Sequence, residues 1–298
     1  MRRRALAVLG AGALWGLTGV FRRSLGQLGC DSAGVIVIRC GIAAILFGVT
    51  LLLRAPGQLR VRLRHLWCFF GCGVCSLLLF TFCCFQAMSL MSLSAAAILL
   101  YTAPAFVMTM SAMLFHERMT GRKLCALALA FAGCCLVSGV GGGGRLPLAG
   151  VLYGLGSGFG YALYSIFGKL AMQRGYGSLT INFYACLFAA AGAALVWGVQ
   201  TPVRVIVSSW PGALWAVGTG LVTCYLPYLL YTWGLERLEP GRASIMASVE
   251  PVVATAAGIA VFHEALTVPA ALGALAVLAA IAVLNLTPKR RKDEAENG

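Results

Sequence analysis

Residues 243–267 of the chain read ASIMASVEPVVATAAGIAVFHEALT, and they repeat the pattern of residues 96–120, which read AAILLYTAPAFVMTMSAMLFHERMT. The motif FHE at 115–117 returns at 262–264, so the two copies lie 147 residues apart. Both stretches are long, apolar and interrupted by a proline. They predict a pair of matching membrane helices, one in each half of the chain.

The duplication extends beyond these two helices. WGLTGVFRR, which begins at Trp15, aligns with YALYSIFGK, which begins at Tyr161. An offset that stays nearly constant over several helices predicts two repeated units, 1–143 and 144–288, followed by a charged cytoplasmic tail at 289–298.

The composition places these repeats in lipid. The 298 residues are 60% hydrophobic and only 11% charged, and the mean hydropathy is +0.88. A soluble protein is close to half apolar and a quarter charged, so a soluble fold is excluded. The net charge of +14 falls between the apolar runs and at the two ends, where it favours a role in topology over nucleic-acid binding.

Ten apolar runs are long enough to cross a hydrocarbon core of about 30 Å. They lie at 5–21, 33–53, 66–88, 95–115, 123–140, 149–171, 179–198, 211–234, 243–262 and 267–286. The sequence therefore predicts an all-α integral membrane protein of ten transmembrane helices.

The distribution of basic residues predicts the orientation. With a cytoplasmic N-terminus, 18 lysines and arginines fall on the inner side and four on the outer side. Because five helices per unit is an odd number, the second unit must enter the membrane inverted relative to the first. We expect a multi-pass protein of the plasma or bacterial inner membrane with both termini in the cytoplasm.

The second half also carries a family signature. The run YLLYTWGLERLEPGRASIMASVEPVVATAAGIAVFHEALT at 228–267 resembles the closing signature of the EamA family, in the drug/metabolite transporter (DMT) superfamily. Residues 101–120 form a weaker copy. The resemblance implies a single-chain transporter of small metabolites, commonly amino acids, that works without ATP. The family often has glycine where this chain has His116 and His263.

Two charged residues lie clearly within the apolar runs, Arg39 and Glu250. A charge at that depth costs roughly 2.5–3.5 kcal/mol, so each is a candidate functional group. Arg39 could hold a substrate carboxylate, or it could extend to the outer interface. Glu250 could hold an amine or a coupling proton, or it could serve as a structural partner for the backbone near Pro251.

Aromatic and polar side chains accompany these charges on the helices expected to line a cavity. The candidates for substrate binding are Trp15, Gln86, Tyr101, Tyr161, Tyr164, Tyr225 and Tyr228, in addition to Arg39 and Glu250. Aromatic rings could bound an apolar pocket, and Tyr225 and Tyr228 can share one helical face. Gln86, like Asn182, could instead hydrogen-bond a neighbouring helix.

Pro104 and Pro251 occupy matching places in the fourth and ninth runs. Paired breaks would let backbone groups face a cavity and would give each half a hinge. The alternative is that the prolines produce kinks that only improve packing.

These features predict a secondary transporter, expected to act as an exporter of a small metabolite such as an amino acid by alternating access. The alternative is a flippase for a lipid or lipid-linked sugar with the same architecture. No enzyme, cofactor, metal site or nucleic-acid partner is expected, because no nucleophile and base converge and no phosphate-binding loop follows the glycines. The expected partners are a small-molecule substrate, membrane lipid and, if Glu250 titrates, a coupling proton. The sequence leaves open the substrate, the direction of transport, the coupling, and the choice between monomer and homodimer.

Overall fold

The computed structural model describes residues 2–91, 93–137, 147–263 and 267–285, and within these ranges the regular structure is helical. Seven stretches of the described residues are long and apolar enough to cross a membrane. The described parts of the predicted runs at 123–140, 149–171 and 267–286 are helical as well, over Gly121–Val137, Leu148–Gln173 and Val268–Asn285, but they are outside those seven.

The first repeat contains eight α-helices and one π-helical segment. They are α1 (Arg2–Gly16), α2 (Thr18–Gln27), α3 (Ser32–Arg54), α4 (Leu66–Phe70), the π segment Gly71–Leu78, α5 (Leu79–Leu90), α6 (Leu93–Leu100), α7 (Ala103–Phe115) and α8 (Gly121–Val137). Short 3₁₀ turns at Pro56–Leu59 and Leu63–His65 connect α3 to α4.

The described part of the second repeat also contains eight α-helices and one π-helical segment, but it begins with one continuous helix where the first repeat has α1 and α2, and it includes a short extra helix. Its elements are α9 (Leu148–Gln173), α10 (Ser178–Trp197), α11 (Gln200–Ser208), α12 (Trp210–Gly220), the π segment Leu221–Tyr225, α13 (Leu226–Leu235), α14 (Pro240–Ala247), α15 (Glu250–Phe262) and α16 (Val268–Asn285). The short helix α11 lies between the predicted runs at 179–198 and 211–234. The sequence did not predict it, because its nine residues mix polar and apolar side chains.

The two repeats match in backbone detail. Each has a π-helical segment in its third long helix and a break in its fourth. His116 and His263, which end α7 and α15, both adopt left-handed backbone angles, with φ of 54° and 56°. Glycine adopts this conformation without strain, so the backbone at both positions would also accept the glycine that the family resemblance implies. Glu264, Gly139 to Gly144, Arg145 and the tail at 289–298 lie outside the described residues.

The last helices of the two repeats pack against each other in opposite directions. A Cβ atom added at Gly133 in α8 would meet Gly273 and Val277 of α16, whereas one added at Gly273 would meet Gly133 and Val137. Since the residue numbers increase in opposite senses along the contact, α8 and α16 are antiparallel. Their glycines allow the two backbones to touch.

The predicted helices at 95–115 and 243–262 are each divided in two. The first breaks at Tyr101 and Thr102, the second at Ser248 and Val249, before α15 begins. Pro104 and Pro251 follow these breaks, as the second residues of α7 and α15. There a missing N–H removes no helical hydrogen bond, so the prolines start the second segments rather than kink continuous helices.

Candidate functional site

A cluster of aromatic rings occupies the centre of the main core. The ring centroid of Trp15, on α1, lies 5.1 Å from Tyr228, 5.3 Å from Tyr231 and 6.1 Å from Tyr161. Tyr164 completes the group, 4.7 Å from Tyr228. Edge-to-face contacts at these distances stabilise the cluster beyond the burial of its surface.

This cluster borders a pocket with about 270 Å³ of empty space. Ser76, in the first π segment, and Ser165, on α9, lie in its wall. The Ser165 hydroxyl hydrogen-bonds the Tyr231 hydroxyl at 2.8 Å. The indole N–H of Trp15 and the hydroxyl of Ser76 are buried and have no hydrogen-bond partner among the described residues. A ligand could satisfy both groups.

A second pocket, with about 310 Å³ of empty space, lies where the two helix breaks meet. Its wall contains Tyr101, Ala103 and Pro104 from the first repeat and Ser248 and Glu250 from the second. Tyr161 lines both pockets, so the two spaces adjoin across a single ring.

Glu250 brings a carboxylate into the pocket at the breaks. It is the first residue of α15, where the helix dipole favours a negative charge, and it caps no backbone N–H. No described residue donates a hydrogen bond to the carboxylate or forms an ion pair with it. The carboxylate is therefore available to a ligand or a proton.

Glycine on α1 allows this close arrangement. A Cβ atom added at Gly16 would lie 2.6 Å from the carbonyl oxygen of Glu250, and one added at Gly12 would lie 2.7 Å from that of Ala247. At the break in the first repeat, a Cβ atom added at Gly158 of α9 would lie 2.7 Å from the Thr102 hydroxyl. Small residues thus bring an intact helix against each break.

Arg39 lies outside the walls of both pockets. Its guanidinium donates a hydrogen bond to the carbonyl oxygen of Thr223, at 3.1 Å, and contacts the Cys224 thiol. Both partners belong to the second π segment, where the irregular hydrogen-bond pattern leaves backbone acceptors available. The packing of α3 against this segment therefore gives Arg39 protein partners, and Arg39 lines neither pocket, although its charge acts on Glu250 and Tyr228.

Two further predicted residues also lie away from the pockets. The hydroxyl of Tyr225 is 2.9 Å from the Thr50 hydroxyl, and its ring packs on Phe47 of α3, so it does not share the environment of Tyr228. Gln86 is half-buried on α5 and lines neither pocket. Trp15, Tyr101, Tyr161, Tyr164, Tyr228 and Glu250 are the predicted residues that line one or both pockets.

Asn182 has a structural role in this arrangement. The hydroxyl of Tyr164 donates to its side-chain oxygen, and its amide donates to the carbonyl of Tyr228 at 3.2 Å and to the Thr232 hydroxyl at 2.8 Å. These bonds hold Tyr164 and the backbone of Tyr228, whose rings pack on each other at 4.7 Å. Ser76, Ser165, Ser244 and Ser248 could not be selected from the sequence, because isolated serines in an apolar run carry no sequence signal.

Charged side chains gather at one end of the molecule. Arg4 pairs with Glu236 at 2.7 Å, and Lys123 lies 2.6 Å from Glu239 and 3.6 Å from Glu117. Burial, with a smaller contribution from Glu239, raises the pKa of the Glu117 carboxyl, against the opposing effect of Lys123. These pairs connect α1 and the α7–α8 loop to the segment between α13 and α14.

The comparison with known proteins agrees with this architecture. A model described as the EamA-like transporter family matches residues 3–139 and again residues 148–286. The chain belongs to the EamA-like transporter family. The match confirms the predicted resemblance, and it places the protein among multi-pass membrane transporters of the DMT superfamily.

Relatives and a solved structure extend this assignment. An uncharacterized transporter of Archaeoglobus fulgidus is 29% identical over 95% of this EamA-like chain and 96% of its own length. A second one from the same organism is 26% identical over 83% of this chain and 86% of its own. A crystal structure at 20% identity superposes with a TM-score of 0.79 over 95% of this chain and 96% of that one, which shows a shared fold.

Proposed function

We propose that the protein is a secondary transporter that exports a small metabolite by alternating access at the pocket between the two helix breaks. The observation that carries the proposal is the Glu250 carboxylate, which has no described protein partner in that pocket. A charge at membrane depth is costly unless it is used, so an unpaired carboxylate beside two broken helices favours transport over a structural role.

The proposed topology has ten transmembrane helices, with inverted repeats at 1–143 and 144–288 and both termini in the cytoplasm. The antiparallel packing of α8 and α16 supports the inversion. Exchange of the roles of the two repeats would open the pocket to either side, and the ion pairs of Arg4 and Lys123 would close its inner end. An enzymatic role has no support from the site, which offers no nucleophile paired with a base.

Sidedness of matched positions tests this topology. Thr120 and Thr267 are exposed counterparts in the two repeats. In a cysteine-free background, Thr120→Cys and Thr267→Cys should react with a membrane-impermeant maleimide from opposite sides of the membrane. Reaction of both from the same side contradicts the inverted arrangement.

Glu250 is also the proposed site of a coupling proton. A carboxylate that alternates between a proton and a substrate would link their movements, because the two cannot occupy it together. With Glu250→Gln, accumulation against a gradient should be lost, because the amide cannot bind and release a proton. Unchanged accumulation by this variant would rule out the coupling role.

Transport itself is tested with the purified protein in liposomes. A panel of amino acids, amines and sugars is preloaded, and counterflow of the labelled compound is measured with and without a pH gradient. We expect saturable exchange of at least one compound, absent from protein-free liposomes. A panel that shows neither uptake nor exchange contradicts the proposal, and scrambling of labelled lipid headgroups in the same vesicles would favour the flippase.

A further inference from the structure

The chemistry of the two adjoining pockets narrows the class of substrate, provided that the proposed transport function holds. The pocket at the breaks contains one carboxylate, Glu250, and the rest of its wall is neutral. The neutral groups are the Tyr101 and Tyr161 rings, two serine side chains and apolar residues. A negatively charged space with no cation in its wall selects a positively charged ligand.

The basic side chains near this space do not line it. Arg39 uses its guanidinium on the Thr223 carbonyl and the Cys224 thiol. Arg22, on α2, is also outside the wall of the pocket. Among the described residues that line the pocket there is therefore no cation to pair with a carboxylate on the ligand, and the Arg39 charge acts on Glu250 only from outside the wall.

We propose that the protein transports organic amines that carry a hydroxyl or another hydrogen-bonding oxygen and lack a carboxylate beside the amine. The ammonium group pairs with the Glu250 carboxylate in the pocket at the breaks. The faces of Tyr101 and Tyr161 add cation–π attraction to the same charge.

The geometry of an α-amino acid explains why this class is disfavoured. A single carbon separates its carboxylate from its ammonium group, so an ammonium bound to Glu250 brings a second carboxylate beside the first. Like charges at such a distance repel strongly in a low-dielectric site, and the wall has no cation to offset the repulsion. The matching amine, which lacks the carboxylate, avoids this cost.

The pocket beside the aromatic cluster supplies an independent observation, which concerns the other end of the ligand. The Trp15 indole N–H and the Ser76 hydroxyl belong to residues that line this pocket and have no hydrogen-bond partner among the described residues, and the two residues are 6% and 1% exposed. Unpartnered donors at this burial are costly, so a ligand oxygen that accepts from Trp15 stabilises the complex. Because Tyr161 borders both pockets, a ligand bound to Glu250 reaches Trp15 if it passes beside the Tyr161 ring.

Two matched series test the proposal on the unmodified protein in detergent. One contains tyramine, tyrosine and 3-(4-hydroxyphenyl)propionate, and the other contains ethanolamine, serine and 3-hydroxypropionate. Each series keeps the hydroxyl and removes either the carboxylate or the amine, and the two differ in size. Binding is measured as the rise in thermal stability with ligand concentration. Phenethylamine, which lacks the hydroxyl of tyramine, tests whether a ligand oxygen binds in the pocket beside the aromatic cluster.

We expect the amine of at least one series to bind at least about tenfold more tightly than its amino acid, and the deaminated acid not to bind. Glu250→Gln should abolish the response, whereas Asp31→Asn should preserve it. Asp31 caps α3 away from the pockets, and asparagine caps helices equally well. Phenethylamine should bind more weakly than tyramine.

An amino acid that binds as tightly as its amine, or a deaminated acid that binds, overturns the inference. The absence of binding by all members of both series also overturns it. If the same preparation exchanges amino acids in liposomes, the transporter assignment stands and only the substrate class is wrong. If it exchanges nothing, the proposed function itself fails.

Discussion

Ala103 and Pro104 begin α7 at one helix break, and Glu250 and Pro251 begin α15 at the other, 147 residues later. The backbones match, since each break precedes a proline in the first turn and each following helix ends at a left-handed histidine. The side chains differ, because one break presents a methyl group to the pocket and the other a carboxylate. The duplication thus preserves the architecture, whereas the charge that can bind a ligand belongs to one repeat alone.

The largest expected effect concerns this charge. Glu250→Ala should reduce amine binding by about ten- to hundredfold, the cost of roughly 1.5–3 kcal/mol for a lost charge-assisted hydrogen bond. Ala103→Glu combined with Glu250→Ala places the carboxylate at the opposite break and should restore part of the binding. Equilibrium binding of labelled amine measures both. Binding that survives Glu250→Ala would make the two breaks functionally equivalent.

The next effect concerns the glycines that approach the breaks. At Gly16, even an alanine Cβ would lie 2.6 Å from a backbone oxygen, which cannot move aside. Gly16→Ala should therefore lower the free energy of unfolding by about 1–3 kcal/mol, the range for overpacking. Gly158→Ala meets the Thr102 hydroxyl, which can rotate, at 2.7 Å and no backbone atom closer than 3.0 Å, so it should cost less.

Gly19→Ala is the matched control, because a Cβ atom there meets nothing within 4 Å. It should be neutral or stabilise the helix by up to about 1 kcal/mol. Thermal unfolding in one detergent compares the three variants. Equal stability of Gly16→Ala and Gly19→Ala would show that α1 does not press against the second break.

A third expected effect on stability concerns Asn182 of α10, which differs from the residue at the aligned position of α3. Asn182 hydrogen-bonds Tyr164, Tyr228 and Thr232, whereas the aligned position in α3 holds the apolar Ile36. Asn182→Leu should cost about 1–3 kcal/mol of unfolding free energy, since it leaves buried polar groups unpaired. Ile36→Val, which removes one methyl group, should cost about 0.5–1.5 kcal/mol. Thermal unfolding that ranks Ile36→Val as the more damaging variant contradicts the role of Asn182.

The smallest expected effect concerns the two left-handed histidines, and it should be equal in the two repeats. His116→Gly and His263→Gly keep the left-handed conformation and should change the stability by less than about 1 kcal/mol. His116→Val and His263→Val should each cost roughly 1–2 kcal/mol, because a β-branched residue resists positive φ. Chemical denaturation of the four variants measures this. A penalty at only one histidine would show that the two helix ends differ.

The sequence predicted the helices because a helix that crosses lipid needs a minimum length of apolar residues. It predicted the repeat because FHE returns 147 residues later. The positions of Glu250 and the aromatic residues followed from these two patterns. The partners of Arg39 could not be predicted from the sequence. They depend on how α3 packs against a π segment, which no local sequence pattern indicates. The breaks before Pro104 and Pro251 were expected, but their exact placement depends on contact with α1 and α9.

Accessibility of the pocket from both sides tests the central claim most directly. Ala103→Cys, in a cysteine-free background that retains transport, places a single thiol in the pocket wall opposite Glu250. Alternating access predicts that a membrane-impermeant thiol reagent modifies it in right-side-out and in inside-out vesicles, and that bound amine slows both reactions. Modification from one side only, or from neither, would contradict alternating access at this pocket.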